Sequence, residues 1–177
     1  MLDNLFNQFE EKHPQSVSLR LLSRNEHLVS RGNRETHSYL VISGSFRIVH
    51  ETDKTAQIIR FGYAGSVFTS LPAFFDDSPS LFDIIAIRKS EVKCFEKKTL
   101  LEFIESSNDN LKAYRLILED LVRQQVEREI DLLTISPSER YRRVLERSPA
   151  LFQEIPAVHI ANYLRMTPEH LSRIRKS

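Results

Sequence analysis

Glu169 and Arg173 stand four residues apart near the C-terminus. On a helix that spacing puts both side chains on one face. An arginine can hold guanine O6 and N7 with two parallel bonds, and a glutamate can accept from cytosine N4. The same pair would also serve as a surface ion pair, and Glu169 suits a helix N-terminus. Around them lie side chains able to grip a phosphate backbone: Arg165, Thr167, His170, Ser172, Arg175 and Lys176.

The run that positions these residues is IPAVHIANYLRMTPEHLSRIRKS, 155–177. Pro156 suits a first helical turn, and Val158, Ile160, Ala161 and Leu164 supply an apolar face. Arg165-Met166-Thr167 then interrupts the pattern. Thr167 is a good N-cap and Pro168 a good first helical residue. Leu171 and Ile174 mark one face of the next helix, and polar residues cover the rest. Two helices, a three-residue turn and small Ala161 at their crossing predict a helix-turn-helix, whose second helix enters a major groove. The turn position that needs a left-handed backbone is commonly Gly. Here it is Arg165, at a cost of about 1 kcal/mol.

Upstream, Leu111, Tyr114, Leu118, Leu121, Val122, Val126, Ile130 and Leu133 recur at steps of three or four. A helix over 108–134 would reach about 40 Å, beyond what a small barrel covers. Its stripe predicts pairing with a second copy, or else packing across its own β-domain. Ser136-Pro137-Ser138-Glu139 reads as a capping box opening the following helix. Residues 16–95 carry VSLRLL, SYLVIS, SFRIVH, AQIIRF and FDIIAI, short runs rich in Val, Ile and aromatics. Ser43-Gly44 reads as a hairpin turn and Asp53-Lys54 as the next. All four glycines lie in this half. Residues 2–12, with Leu2, Leu5, Phe6 and Phe9, and 98–106, with Leu100, Leu101, Phe103 and Ile104, read as amphipathic helices. The fold class is α+β. An antiparallel β-roll spans 1–107, a long helix 108–134 and a helical module 135–177.

The formal net charge of +1 conceals an asymmetry. Residues 135–177 hold 8 Lys+Arg against 4 Asp+Glu, and residues 1–134 hold 17 against 20. A +4 module thus sits on a −3 body, as binding to a polyanion through one end requires. One cysteine, Cys94, excludes an internal disulfide and any several-thiolate metal site. No apolar run is long enough to span a membrane, and MLDNLFNQFEEKH is acidic and lacks the basic-then-apolar order of a secretory leader. A cytoplasmic protein is expected. The six histidines show no paired spacing, and His-x-His is absent. No metal, no cofactor and no catalysis are expected.

Taken together, these segments resemble a CRP/FNR-type transcription regulator of bacteria along nearly the whole chain. EHLSR, Glu169 to Arg173, resembles the family's E-x-x-S-R motif, which implies base reading by Glu169, Ser172 and Arg173. IANYL resembles the first helix of the family's DNA module. SYLVISGSFRIV and SEVKCF resemble strands of its cyclic nucleotide-binding-like, cupin-like roll. The resemblance implies a homodimer on a pseudo-palindromic double-stranded DNA operator, a small effector in the roll, and RNA polymerase as a further partner.

Two departures qualify it. In Gly65-Ser66-Val67-Phe68-Thr69-Ser70-Leu71, Thr69 stands where the family's phosphate cassette has Gly, and Ser70 where it has Glu. Ser80 stands where it has Arg, beside Leu81. The charge for a cyclic phosphate is missing, so cyclic AMP is not the expected ligand. Arg60 or Arg88 would have to substitute for that charge. Gln125 falls at the family's ligand-touching position on the long helix. Phe68, Phe74 and Phe75 would fill the pocket if it is closed. The chain also stops after the second helix of the module, where many members carry a wing. The alternative to a regulator is a ligand-sensing or scaffold protein on the same roll.

Overall fold

The computed structural model describes residues 2–34, 36–52 and 55–176. The Leu2 side chain and the Asp53-Lys54 turn lie outside the described residues. In chain order the elements are α1 (Leu2–Lys12), β1 (Val17–Leu22), β2 (His27–Val29), β3 (His37–Ser43), β4 (Ser45–Glu51), β5 (Ala56–Tyr63), β6 (Val67–Phe68), α2 (Leu71–Asp76), β7 (Asp83–Ala86) and β8 (Ser90–Glu96). Then come α3 (Lys97–Glu105), α4 (Asn108–Leu133), α5 (Pro137–Arg147), α6 (Pro149–Glu154), α7 (Ala157–Tyr163) and α8 (Pro168–Ile174).

Two four-stranded antiparallel sheets, ordered β1-β8-β3-β6 and β2-β7-β4-β5, face each other as a double-stranded roll. Leu22, Val41, Phe46, Ile84 and Val92 fill the space between them. Ser43-Gly44 is not a hairpin. β3 pairs with β8 and β6, and β4 with β5 and β7, so the turn is a corner where the chain changes sheets. Gly44 is obligatory there. Its φ is +85°, and a Cβ would stand 2.6 Å from the Ser90 Cα. Sequence reading missed β2, β6 and α2. The two or three residues of the strands, and the less than two turns of α2, are too few for a period to show.

One end of the roll is closed by α1, α3 and the start of α4. There Phe9 packs edge-on against Phe95 and Phe103. The Ser107 side chain caps α4 by accepting from the Asn110 N–H at 3.1 Å. The Asn110 side-chain amide donates to the Phe103 carbonyl at 2.8 Å, fixing the α3–α4 corner.

The apolar stripe of α4 divides between two faces. Tyr114, Leu118 and Leu121 turn toward the chain's own roll, where Leu118 and Leu121 border its inner cavity. Leu111, Val122, Val126, Ile130 and Leu133 stay exposed, Val122 at 63% and Leu133 at 80%. A residue every 100° puts these sets on different sides of the helix, and a list of apolar positions merges them.

The Ser136 side chain accepts from the Glu139 N–H at 3.3 Å, but Glu139 turns to Arg142 rather than back to the cap. Pro156 sits at the N-cap of α7, one residue before its first turn. The C-terminal helices do not stand apart from the roll. Val144, Leu151, Ile155, Ile160, Ala161, Leu164 and Leu171 form one core with Ile87, and Phe61 and Tyr63 of β5 pack against it.

Candidate nucleic-acid interface

Helices α7 and α8 meet through Ile160, Ala161, Leu164 and Leu171, all at most 1% exposed. Arg165 holds the turn between them with φ +53°, a left-handed backbone on a residue with a Cβ. The Thr167 side chain caps α8, accepting from the His170 N–H at 3.2 Å. Leu171 points inward, so Glu169, Ser172 and Arg173 share the exposed side of α8.

The Glu169 backbone N–H, at the helix start, holds its carboxyl below the usual range, with the Thr167 hydroxyl and Arg173 guanidinium acting in the same direction. The group is therefore an ionised acceptor at neutral pH. Arg165, Arg173, Arg175 and Lys176 are exposed, and none has a carboxylate partner among the described residues. Three arginines of α5 differ. Arg142 is bound to Glu139 and Glu146, and Arg143 and Arg147 to Glu127 and Asp131. Apart from Arg140, which is buried and donates to the Thr134 carbonyl at 2.8 Å, the module's cations without a carboxylate partner gather on and beside α8.

The module is tied to the roll by contacts that periodicity cannot reveal. The Asn162 side chain of α7 behaves like a strand residue at the edge of β5. It accepts from the Ile58 N–H at 2.8 Å and donates to the Ala56 carbonyl at 3.0 Å. Gln57 donates to the Asn162 backbone carbonyl at 2.7 Å. The Arg128 guanidinium of α4 lies 3.6 Å from the centre of the Tyr163 ring and donates to the Tyr163 carbonyl at 2.6 Å. Arg88 and Glu154 pair at 2.7 Å. Only Arg128 left a trace in the sequence. It continues the roll-facing series Tyr114, Leu121 at seven-residue steps, where an apolar residue would be expected.

The roll's interior leaves a cavity of about 50 Å³. That admits a water or two, not a nucleotide. Phe68, Phe74, Tyr114 and Leu121 border it, as does Thr69, whose hydroxyl donates to the His37 carbonyl at 2.9 Å. Phe75 faces outward, 54% exposed. Ser70 and Ser80 are buried and bonded to each other at 2.8 Å. Two neutral hydroxyls thus satisfy each other where the resemblance implied a carboxylate and a guanidinium. Leu81 is exposed, and Gln125 is exposed beside an outer cleft between β5, α4 and α5. Among the described residues no group of acidic, His and Cys side chains could hold a metal ion. Among the described residues no helix is long and apolar enough to cross a membrane.

A closed β-roll, a long helix and a short helical module carrying free cations define the CRP/FNR-type architecture. The chain belongs to the family of the cyclic nucleotide-binding domain, which matches residues 19–107. No curated protein matches its sequence. FixK2 from Bradyrhizobium japonicum is similar in structure, with 18% identity over 90% of this chain and 83% of that one, at a TM-score of 0.77. A cyclic nucleotide-binding domain-containing protein from Listeria monocytogenes follows, with 18% identity over 99% and 88% and a TM-score of 0.72. The c-di-GMP-responsive global regulator CLP of Xanthomonas campestris shares 15% over 96% and 90%, at 0.70. Identities this low speak for the fold.

Proposed function

We propose that this protein is a homodimeric, sequence-specific DNA-binding transcription regulator, with α7 and α8 as its helix-turn-helix. One observation carries the reading. Glu169, Ser172 and Arg173 share an exposed face of a capped helix whose other side is anchored by buried Leu171, with unpaired cations at Arg165, Arg175 and Lys176. Arg173 and Glu169 read base edges, with Ser172 between them. Arg165, Thr167, His170, Arg175 and Lys176 hold phosphates. The exposed seam Leu111, Val122, Val126, Ile130 and Leu133 pairs two copies of α4 about a two-fold axis. That pairing sets the two α8 helices about 34 Å apart on a pseudo-palindrome. The roll is a rigid platform for the module and not a cyclic AMP receptor. Work on DNA places the protein in the cytoplasm.

The test is selection from random duplexes by the purified protein. An enriched two-fold motif is expected. Arg173→Ala should cost about 1–3 kcal/mol on that motif and relax one base pair in each half-site. If no motif is enriched and binding has no salt dependence, the reading fails in favour of a scaffold protein. A uniform loss over all sequences on Arg173→Ala would deny Arg173 its base.

A further inference from the structure

A second cavity lies outside the roll. It is a cleft of about 770 Å³ where β5, α4 and α5 meet, within the size range of small-molecule sites. Five arginines border it: Arg60, Arg123, Arg128, Arg143 and Arg147. Three are neutralised nearby, Arg123 by Asp120, and Arg143 and Arg147 by Glu127 and Asp131. The other two make no ion pair among the described residues, with Asp120 and Asp131 acting on them only from a distance. Arg128 is 93% buried by its 7% exposure, and its Nη1 has no partner. The Arg60 guanidinium has no hydrogen-bond or ion-pair partner among the described residues. Burial pushes both below their ordinary basicity.

An arginine taken out of water without an acceptor is costly unless something arrives to accept. Two guanidiniums without an ion-pair partner, Arg128 bonded only to the neutral Tyr163 carbonyl, match about two negative charges, and their planar forks suit phosphate oxygens. Phe61 and Tyr163, with ring centres 5.3 Å apart, add an aromatic wall. The cleft therefore matches a small dianion with a flat apolar part. We propose that it binds an organic phosphate monoester, the phosphate held by Arg60 and Arg128 and the organic part lying against Phe61 and Tyr163.

The site is separate from the roll's interior, although Arg60 borders both. Gln124 and Glu127, which line it, lie roughly opposite the Val122–Val126–Leu133 seam on α4, while Arg123 and Gln125 border that seam, so the cleft opens beside a dimer contact. A ligand there touches roll, long helix and module together, and would hold the DNA-reading helices at one angle to the roll. Binding itself does not depend on the DNA reading. Only the effect on DNA affinity does.

The probe is phenyl phosphate, titrated calorimetrically into the full chain, with phenol and inorganic phosphate as the two halves of the ligand. Saturable binding of phenyl phosphate at low-millimolar concentration or tighter is expected, with phosphate weaker and phenol silent. Arg60→Gln, which breaks no bond in the structure, should weaken it about tenfold or more. Arg128→Gln should do the same. Lys98→Gln, an exposed cation on α3, should leave it unchanged. No saturable binding, or an equal loss in Lys98→Gln and Arg60→Gln, overturns the proposal. Wild-type DNA selection together with lost phosphate binding would overturn this site alone.

Discussion

Asp131 offers the sharpest test of how the module is held. Its carboxylate is 0% exposed and accepts from Arg143 Nε at 3.2 Å and from Arg147 Nη1 and Nη2 at 3.2 and 2.5 Å. The hydrogen bond to Asp131 raises the affinity of Arg147 for its proton. Asp131→Asn keeps the volume and removes the charge, and it aims an amide donor at a guanidinium. Losing one partner of a buried ion pair costs about 3–5 kcal/mol. Two features lower that here. The arginine side chains are 27% and 28% exposed, so water reaches them, and Glu127 already bonds both, at 2.9 and 3.3 Å. The expected loss is about 2–4 kcal/mol. At about 2–4 °C per kcal/mol for a chain of this size, calorimetry should show a melting point lower by roughly 5–15 °C. Because the bonds join α4 to α5, amide exchange should accelerate in α5–α8 before it does in the roll. Replacing Asp131, Arg143 and Arg147 together by apolar residues should recover most of the loss. A shift under about 3 °C for Asp131→Asn, or uniform acceleration across the roll, would refute the reasoning.

Arg165→Gly relieves the left-handed backbone and should raise stability by about 1 kcal/mol. The same change should weaken DNA binding alike on all sequences and reduce the salt slope by about one. Unchanged DNA binding would remove Arg165 from the phosphate contacts. Burial, aided by Arg47 and Arg24, holds His159 below its ordinary 6.5. Just below pH 6.5 the unfolded chain therefore binds more protons, so stability is full above that pH and declines as pH falls through the window. His159→Gln should flatten this part of the profile, and an equally steep decline in the variant would contradict it. Cyclic AMP should leave the melting temperature unchanged, because the roll's cavity is about 50 Å³ and Ser70 and Ser80 are bonded to each other. A saturable rise on titration would show that the roll opens.

Much of the architecture was legible in the residues. The strands VSLRLL, SYLVIS, SFRIVH and AQIIRF, the helix over 108–133 and the capped pair α7–α8 all follow from local periods and cap chemistry. Arg165 was visible as a left-handed residue because the turn length demanded one. These are short-range properties. Each depends on neighbours within about one helical turn or one strand pair.

What the sequence did not carry is which surface each element would spend on which neighbour. The Ser43-Gly44 turn reads as a hairpin until the pairing shows that its strands belong to different sheets. The α4 stripe reads as one seam until Tyr114, Leu118 and Leu121 are committed to the roll and Val122, Val126 and Leu133 are left outside. Asn162 caps a strand edge more than a hundred residues away, and Arg60 and Arg128 come to one cleft from different elements. Those placements depend on the net burial and charge balance of the whole chain, where a hydrogen bond or ion pair forms only once both partners are brought together. Local pattern therefore determined the reading helix and the strands. Tertiary packing decided that the roll is filled, that the module docks on β5, and where two arginines are left without an ion-pair partner.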